Sequence, residues 1–310
     1  MITLGFDTSN YTTSIAAYDG QKWTNISKLL DVAPGSLGLR QSDALFAHVK
    51  RLPELTDRLF SDIGAITPDA IGVSTRPRAV EGSYMPCFLA GESQARVLGT
   101  SLHVPVYGFS HQQGHIASSL CAAGHLELME EPHLAWHLSG GTTELLYVTP
   151  DGISVQAQKI GGTTDISAGQ LIDRTCQLLG LTFPAGKSLD ALSQEAQKKD
   201  VFRVKVNGLS FSLSGVQNKV QEYHTKGNDP AETAGYALRC LIGAIIEATE
   251  NALKEYPGCK VVFAGGVASN SLLRNRCQKL PATFCAPQFA TDNALGPAVL
   301  AWRTLHAANL

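Results

Sequence analysis

Two histidines stand four residues apart in "SHQQGHIAS": His111 and His115. An α-helix turns once in 3.6 residues, so positions i and i+4 share a face. Two imidazoles on one face offer nitrogen ligands to a single metal ion. The pair alone is not specific, because an ordinary histidine is simply a hydrogen-bonded polar residue. The zinc-peptidase form H-E-x-x-H is absent, since Gln112 holds the place of the glutamate that would act as general base. No carboxylate adjoins the pair, so a third ligand has to come from elsewhere in the chain. "ATDNA" supplies one option. Asp292 there precedes a helix expected from about Ala294, and reads either as an N-cap or as a metal ligand.

A second chemistry lies in small-residue turns. "LGFDTSNYTTSIAAYDG" (4–20) and "WHLSGGTTELLYVTPDG" (136–152) share a pattern: an apolar run, a turn of small residues, a Thr-Thr pair, a second apolar run and Asp-Gly. Each reads as a β-hairpin. Turns of this kind expose backbone N–H groups that suit phosphate oxygens. "VVFAGGVASNSLLRNRCQ" reads as strand, Gly265-Gly266, then helix; glycine permits close approach of a ligand, and the helix start favours negative groups. Asn270 in that first turn is an ordinary cap candidate.

The elements that must position these groups repeat as well. Helical stretches follow each hairpin, "SDALFAHVKRLPELTDRLFSDIG" and "SAGQLIDRTCQLLGL". Each half then has a further apolar strand, "AIGVST" (70–75) and "KVVFAGG" (260–266). Strands alternating with helices predict an α/β sheet, and two similar halves predict a duplicated, two-lobed nucleotide-binding fold. The expected lobes are 1–105, with a C-terminal helix 294–310 packing back on it, and 106–293. An adenine nucleotide is expected in the cleft between them.

The 310 residues are 44% hydrophobic and 17% charged, with net charge −2, so no global basic field advertises nucleic acid. Local basic stretches do occur in "FRVKVNG", "NKVQEYHTKG" and "RNRCQK". The seven cysteines are scattered without a C-x-x-C, which argues for a reducing compartment. There is no signal-peptide pattern and no long apolar run; "LRCLIGAIIEAT" reads as a buried helix. A cytoplasmic protein without a membrane partner is expected.

Taken together the residues resemble the tRNA N6-threonylcarbamoyladenosine synthase family (TsaD, also called Gcp or YgjD). "LGFDTSNYTTSIAAYD" is similar to its opening Gly-x-Glu-Thr-Ser segment, "SHQQGHIAS" to its His-x-x-Gly-His signature, and "LSGGTTEL" to its Ser-Gly-Gly-x-Thr-x-Leu loop. "LIDRTCQLLGLTFPAGKSLDAL", "FSLSGVQNKV", "FAGGVASNSLLR" and "ATDNA" match further motifs in order. The resemblance implies an actin-like fold of the sugar kinase, Hsp70 and actin type. It implies one divalent metal ion held by His111, His115 and Asp292, with iron the expected ion and zinc or manganese also suited to such ligands. His137, on the strand leading into the loop, is either a fourth ligand or an inward residue with a hydrogen bond. The implied loop for the phosphates or carbamoyl group of an adenine nucleotide or acyl-adenylate is Leu138, Ser139, Gly140, Gly141, Thr142 and Thr143. Asp173 and Asp190 would take ribose hydroxyls or the adenosine face. Gly186, Gly265 and Gly266 would allow close approach, and Asn270 would contact the nucleotide.

The activity implied is transfer of a threonylcarbamoyl group from its adenylate to N6 of an adenosine near the tRNA anticodon. The implied partners are tRNA, a smaller paralogous actin-like protein and a P-loop ATPase. No residue has to be a covalent nucleophile. The chain also departs from the pattern. Arg76 and Arg78 stand where the family has glycines, and two arginines can grip a phosphate or carboxylate. Asp165-Ile166 replaces an Asp-Asp pair, Gln170 replaces a glutamate, and Asp7 replaces the opening glutamate. These changes gather on the ligand side and suggest a diverged paralog. The alternative function is therefore a nucleotide- and metal-binding paralog that does not modify tRNA. A metallopeptidase is a third reading, against which the missing glutamate counts.

Overall fold

The structure, a computed structural model, describes residues 1–9, 11–31, 39–182, 185–285 and 293–308. The chain opens with β1 (Thr3–Asp7) and β2 (Thr12–Tyr18), an antiparallel pair that sets Asp7 opposite Ser14. Both strands are buried along their whole length, because the sheet is covered on both faces. β3 (Trp23–Leu29) pairs antiparallel with β2. Then come α1 (Gln41–Ile63), β4 (Ala70–Arg76), α2 (Phe88–Leu102) and β5 (Val106–Ser110). β4 runs parallel to β1 and β5 parallel to β4, giving the order β3-β2-β1-β4-β5. α3 (His111–Ala123) begins directly after β5. Ser110 caps it, and the Gln113 side chain returns to the Ser110 N–H, closing a capping box.

The chain then repeats the plan. β6 (His133–Leu138) and β7 (Thr143–Asp151) form the second antiparallel hairpin, with β8 (Ser154–Thr163) beside β7. α4 (Ala168–Leu178), α5 (Gly186–Ser193), the two-residue strands β9 (Val206–Asn207) and β10 (Ser210–Phe211), and α6 (Ser214–Thr225) follow. α7 (Pro230–Glu255) contains the "LRCLIGAIIEAT" stretch and is buried around most of its circumference, as its sequence predicts. Asp229 caps it and Pro230 occupies its first turn. β11 (Val261–Ala264), α8 (Ser271–Arg276) and β12 (Ala282–Phe284) complete the sheet, and α9 (Leu295–Ala307) ends the described chain. The second sheet has the order β12-β11-β6-β7-β8-β10-β9, with β11 parallel to both β6 and β12. Its run β8-β7-β6-β11-β12 is the first sheet's β3-β2-β1-β4-β5 over again, so the duplication holds at the level of topology.

Two compact units result. One comprises 1–131, 149–157 and 292–310, the other 132–148 and 158–291. The first unit thus runs to Glu131, where the sequence placed the boundary at 105. The reason is a glycine contact that joins α3 to α9. A Cβ at Gly296 would stand 1.9 Å from the Gly114 carbonyl oxygen. α9 also lies against the first sheet, where a Cβ at Gly72 would stand 1.9 Å from the Pro297 carbonyl oxygen. The glycine between the two histidines is therefore a packing residue. Leu4, Phe6, Ile15, Leu55, Leu59 and Ile71 centre the first core; Trp136, Phe211, Leu241, Ile245 and Phe263 centre the second. Among the described residues no helix is long and apolar enough to cross a membrane.

Candidate functional site

In the first unit the histidine pair opens α3. The two rings lie edge to face with centroids 4.3 Å apart. His111 Nδ1 is 2.9 Å from Oδ2 of Asp7, at the end of β1. Asp7 is buried, and three other donors reach it. The Ser9 backbone N–H (2.9 Å) and the Ser9 hydroxyl bond Oδ1, and the Ser74 hydroxyl bonds Oδ2 at 2.6 Å. The parallel register explains Ser74: Phe6 lies beside Val73, so the next residues, Asp7 and Ser74, are neighbours across β1 and β4. The Phe88 ring stands edge-on to His111 at 6.2 Å. Two imidazoles one turn apart, one backed by a carboxylate, form a donor set suited to a divalent metal. Asp292, the expected third ligand, lies outside the described residues. Among the described residues no group of three His, Cys, Asp or Glu side chains is arranged to hold a metal ion.

Arg76 and Arg78 are exposed and adjoin the same helix start. A register shift between Ser74 and Arg76 brings Arg76 opposite Ser110, and the Gln112 N–H bonds the Pro77 carbonyl at 3.0 Å. The Arg78 N–H donates to the Ser83 hydroxyl at 3.0 Å.

The Ser139–Thr143 turn belongs to the second unit. It is closed by Ser139 N–H to the Thr142 carbonyl (2.8 Å) and Thr142 N–H to the Ser139 hydroxyl (3.1 Å). The start of α4 braces it from behind. The Ser167 hydroxyl bonds the Gly140 carbonyl, and the Ala168 N–H bonds the Thr143 hydroxyl at 2.7 Å. A Cβ at Gly169 would stand 2.4 Å from the Gly140 Cα, whereas nothing lies within 4 Å of a Cβ at Gly140 or Gly141. The turn is thus packed on one side and open on the other, which is what an anion-binding turn requires. Gly265 has φ +96°, and its Cβ would meet the Leu138 carbonyl oxygen at 2.2 Å. Space around Gly266 is open. The Leu138 side chain is in the core, so only its backbone faces the turn. His137 is half-buried, opposite Glu144 on β7 and beside Ala264 on β11. It belongs to the second unit, His111 and His115 to the first.

Asp190 and Asn270 meet each other. The Asn270 amide donates to Asp190 at 2.9 Å, and the Ser271 N–H and hydroxyl donate to the same carboxylate at 2.9 and 2.8 Å. Asn270 Oδ1 meanwhile accepts the Leu273 N–H at 3.0 Å, capping α8. Both side chains therefore hold the helix behind Gly265-Gly266 in place. Asp173, on α4, is half-buried, and desolvation pushes its carboxyl above the usual range. Gly186 opens α5, with Ile172 Cγ2 4.0 Å from where its Cβ would be.

A family model described as "TsaD: tRNA N6-adenosine threonylcarbamoyltransferase" matches residues 37–299. The chain belongs to this family. The tRNA N6-adenosine threonylcarbamoyltransferase of Carboxydothermus hydrogenoformans is 31% identical over 94% of this chain and 89% of its own length. That of Thermus thermophilus is 30% identical over 98% and 93%. TsaD proteins are transferases, and the chain is a member of a transferase family. Among solved structures, full-length HypF in a phosphate- and nucleotide-bound form superposes with TM-score 0.61 at 14% identity, covering 98% of this chain and 46% of that one. The chain thus spans about half the length of HypF. A ROK family glucokinase from Streptomyces griseus, with glucose and AMPPNP, gives 0.53 at 11% identity over 98% and 100%. At such identities the likeness concerns the fold, which is the expected actin-like, sugar-kinase type.

Two contributors to these sites, Ser74 and Ser167, are not among the residues singled out from sequence, and a third, Asp165, is noted there only for its place in a broken pair. Ser74 lies inside an apolar strand, and only the β1–β4 register reveals it. Ser167 is detectable from sequence, because Ser167-x-x-Gln170 is a capping box. Asp165 is more informative than its place in a broken pair suggests. Burial alone would raise its carboxyl, but the Ser212 and Ser214 hydroxyls and the Leu213 and Ser214 N–H groups outweigh burial and hold it well below the usual range. It caps α6 from the end of β8.

Proposed function

We propose that the chain moves a threonylcarbamoyl group from its adenylate to N6 of an adenosine near the tRNA anticodon. The observation that carries this reading is the presence, in a chain of this family, of both an Asp7-backed histidine pair and an open Ser139-Gly140-Gly141 turn. In the reaction the adenosine N6 attacks the carbamoyl carbon. A C–N bond forms, the bond from that carbon to the adenylate phosphate oxygen breaks, AMP departs and N6 loses a proton. The backbone N–H groups of Gly140 and Gly141, at the open side of the turn, take the phosphate and offset the negative charge that develops on the carbonyl oxygen. Asp173 accepts a ribose hydroxyl. His111, His115 and Asp292 would hold one divalent metal, and when bound the ion would supply a Lewis acid. Iron is the ion the family resemblance favours. Arg76 and Arg78 hold an anionic group of the substrate, and replacing either by alanine weakens that ligand by roughly 1.5–3 kcal/mol. The partners are tRNA, a smaller actin-like paralog and a P-loop ATPase.

The exposed Arg76 and Arg78 also favour a second reading, in which the same sites bind nucleotide and metal without modifying tRNA. One experiment separates them. Purified protein receives threonylcarbamoyl adenylate and tRNA, with and without a chelator, and the tRNA nucleosides are analysed. Modified adenosine that disappears with chelation supports the transferase. Tight adenylate binding with no modified nucleoside, even with the two partner proteins added, supports the second reading.

A further inference from the structure

The two units differ in charge. The second has 15 lysines and arginines against 12 aspartates and glutamates; the first has 10 against 15. A chain of net charge −2 thus carries its positive excess in one unit, which suits a polyanionic partner there. The stretch "KKDVFRVK" (198–205), between α5 and β9, holds four of these cations and one acid. Every residue in it is exposed except Val204. The stretch is nevertheless pinned to α7. Glu232 accepts the Lys198 N–H at 3.1 Å, the Arg239 side chain donates to the Asp200 carbonyl at 2.8 Å, and Cys240 Sγ accepts the Phe202 N–H at 3.2 Å. Phe202, 39% exposed, is therefore displayed at a set place. It borders a cleft of about 300 Å3, with Phe211 and Val216 as further apolar lining and Thr164, Ser212 and Lys205 as polar lining.

An aromatic face with hydroxyl and ammonium groups beside it receives an unstacked RNA base, and flanking lysines meet the phosphates on either side. An acidic peptide would satisfy the lysines but offer no flat ring to the phenylalanine. The place in the sheet agrees. Phe211 pairs with Thr163 on β8, and a Cβ at Gly162 would stand 2.2 Å from the Thr143 carbonyl oxygen on β7. The cleft therefore lies at the same sheet end as the Ser139–Thr143 turn, about 10 Å away across two strand spacings. Arg203 already pairs with Glu247 at 3.3 Å, which leaves Lys199 and Lys205 as the cations for phosphates.

We propose that residues 198–205 and their cleft form a docking surface for loop RNA, with Phe202 stacking on one base and Lys199 and Lys205 meeting phosphates. The proposal rests on the transferase reading above for the identity of the RNA, a tRNA anticodon loop, and sets that loop beside the turn assigned to the acyl-adenylate. Fluorescence anisotropy of a labelled anticodon stem-loop RNA with the full chain, without adenylate, tests it. Phe202→Ala is expected to weaken binding about 5–100-fold, and Phe202→Tyr, which keeps a ring, to retain it. Lys199→Ala combined with Lys205→Ala is expected to lower the slope of log affinity against log salt by about 1.4. These variants should keep the wild-type melting temperature; the lysine pair, at the surface, keeps the test decisive should Phe202→Ala disturb packing. Polyglutamate serves as the control polyanion. Polyglutamate that binds as well as the RNA, with Phe202→Ala changing neither, marks a general anion surface and overturns the proposal. Unchanged RNA affinity and salt slope in the variants overturn it and leave the transferase reading standing. Phe202-dependent RNA binding without modified adenosine in the transfer assay upholds the docking surface and sinks the transferase reading. No RNA binding by wild type, alone or with the two partner proteins, overturns both.

Discussion

The two units use one strand plan to build two different turns. Register makes the residues comparable. Asp7 faces Ser14 across β1 and β2; His137 faces Glu144 across β6 and β7. Ser74 follows the residue that pairs with Phe6, and Ala264 pairs with His137, so the strand ends Thr75-Arg76 and Gly265-Gly266 are counterparts. Where the first unit has a buried, hydrogen-bonded carboxylate and bulky side chains, the second has a histidine and two glycines. One feature is common to both. The second threonine of each Thr-Thr pair ties its hairpin to the following helix, Thr13 to His48 on α1 at 2.8 Å and Thr143 to Ala168 on α4 at 2.7 Å. The shared threonines hold the plan together, and the divergent positions set the chemistry. The first turn is built to fix side-chain nitrogens and the second to expose backbone N–H groups.

Gly265→Ala attacks this contrast where it is sharpest. Its backbone, φ 96° and ψ 160°, lies in a region that is essentially glycine-only, and the new Cβ would meet the Leu138 carbonyl at 2.2 Å. Strain and overpacking together should cost about 3 kcal/mol or more, read by urea unfolding, and should abolish nucleotide binding. Thr75→Gly at the counterpart position should cost about 1 kcal/mol or less, the entropic penalty of a strand glycine. Similar losses at both positions would mean that the two strand ends are not distinct.

Thr13→Val and Thr143→Val test the shared feature. Each hydroxyl is buried and bonded. Each loss should cost roughly 1–3 kcal/mol, and the two effects should be alike in chemical denaturation. A large effect at one site and none at the other would break the proposed equivalence.

Asp165→Ala addresses what the second unit adds. Among the described residues the five-stranded sheet has no counterpart of β9 and β10. Asp165 ties the common strand β8 to α6 beyond them, and its loss should cost about 1 kcal/mol, as for other helix caps. Because its folded carboxyl titrates below the usual value, its contribution is complete above that value and is lost as pH falls. The stability gap between wild type and variant should thus be constant near neutrality and shrink only below about pH 4. A gap that widens in acid would contradict the assignment.

Much of this plan was legible in short stretches of chain. Hairpin pattern, Thr-Thr pairs, β4, β11 and the apolar α7 all follow from local periodicity and turn chemistry. What escaped depends on distant partners. The bond from Asp7 to His111 spans 104 residues, and the contact of Gly114 with Gly296, which brings α3 into the first unit, joins helices far apart in the chain. Asp190 and Asn270 illustrate the same limit. Asp190 looked like a ligand contact and Asn270 like either a cap or a ligand contact, and only their bond, across 80 residues, shows that the two brace one helix start together.

Asp173→Asn should give the smallest effect and the most discriminating sign. The residue lies on α4, the helix whose start braces the open turn, and desolvation raises its carboxyl above the usual range. A carboxyl raised in the folded state favours folding only below its ordinary value, and that contribution is lost as pH rises through the folded value. Near neutrality the ionised Asp173 therefore opposes folding slightly. Replacing it with asparagine should raise stability there by a few tenths of a kcal/mol, the usual range for a partly exposed site, and should give no gain at pH 3. If the carboxylate also accepts a ribose hydroxyl, the same change weakens adenosine nucleotides, because the amide has lost one acceptor oxygen. Thermal melts from pH 3 to 8 and calorimetry with AMP measure the two quantities separately. Higher stability with lower affinity identifies a carboxylate retained for its ligand at the expense of the fold. Higher stability with unchanged affinity would remove Asp173 from the nucleotide site and leave the second unit's specialisation to its glycine turn alone.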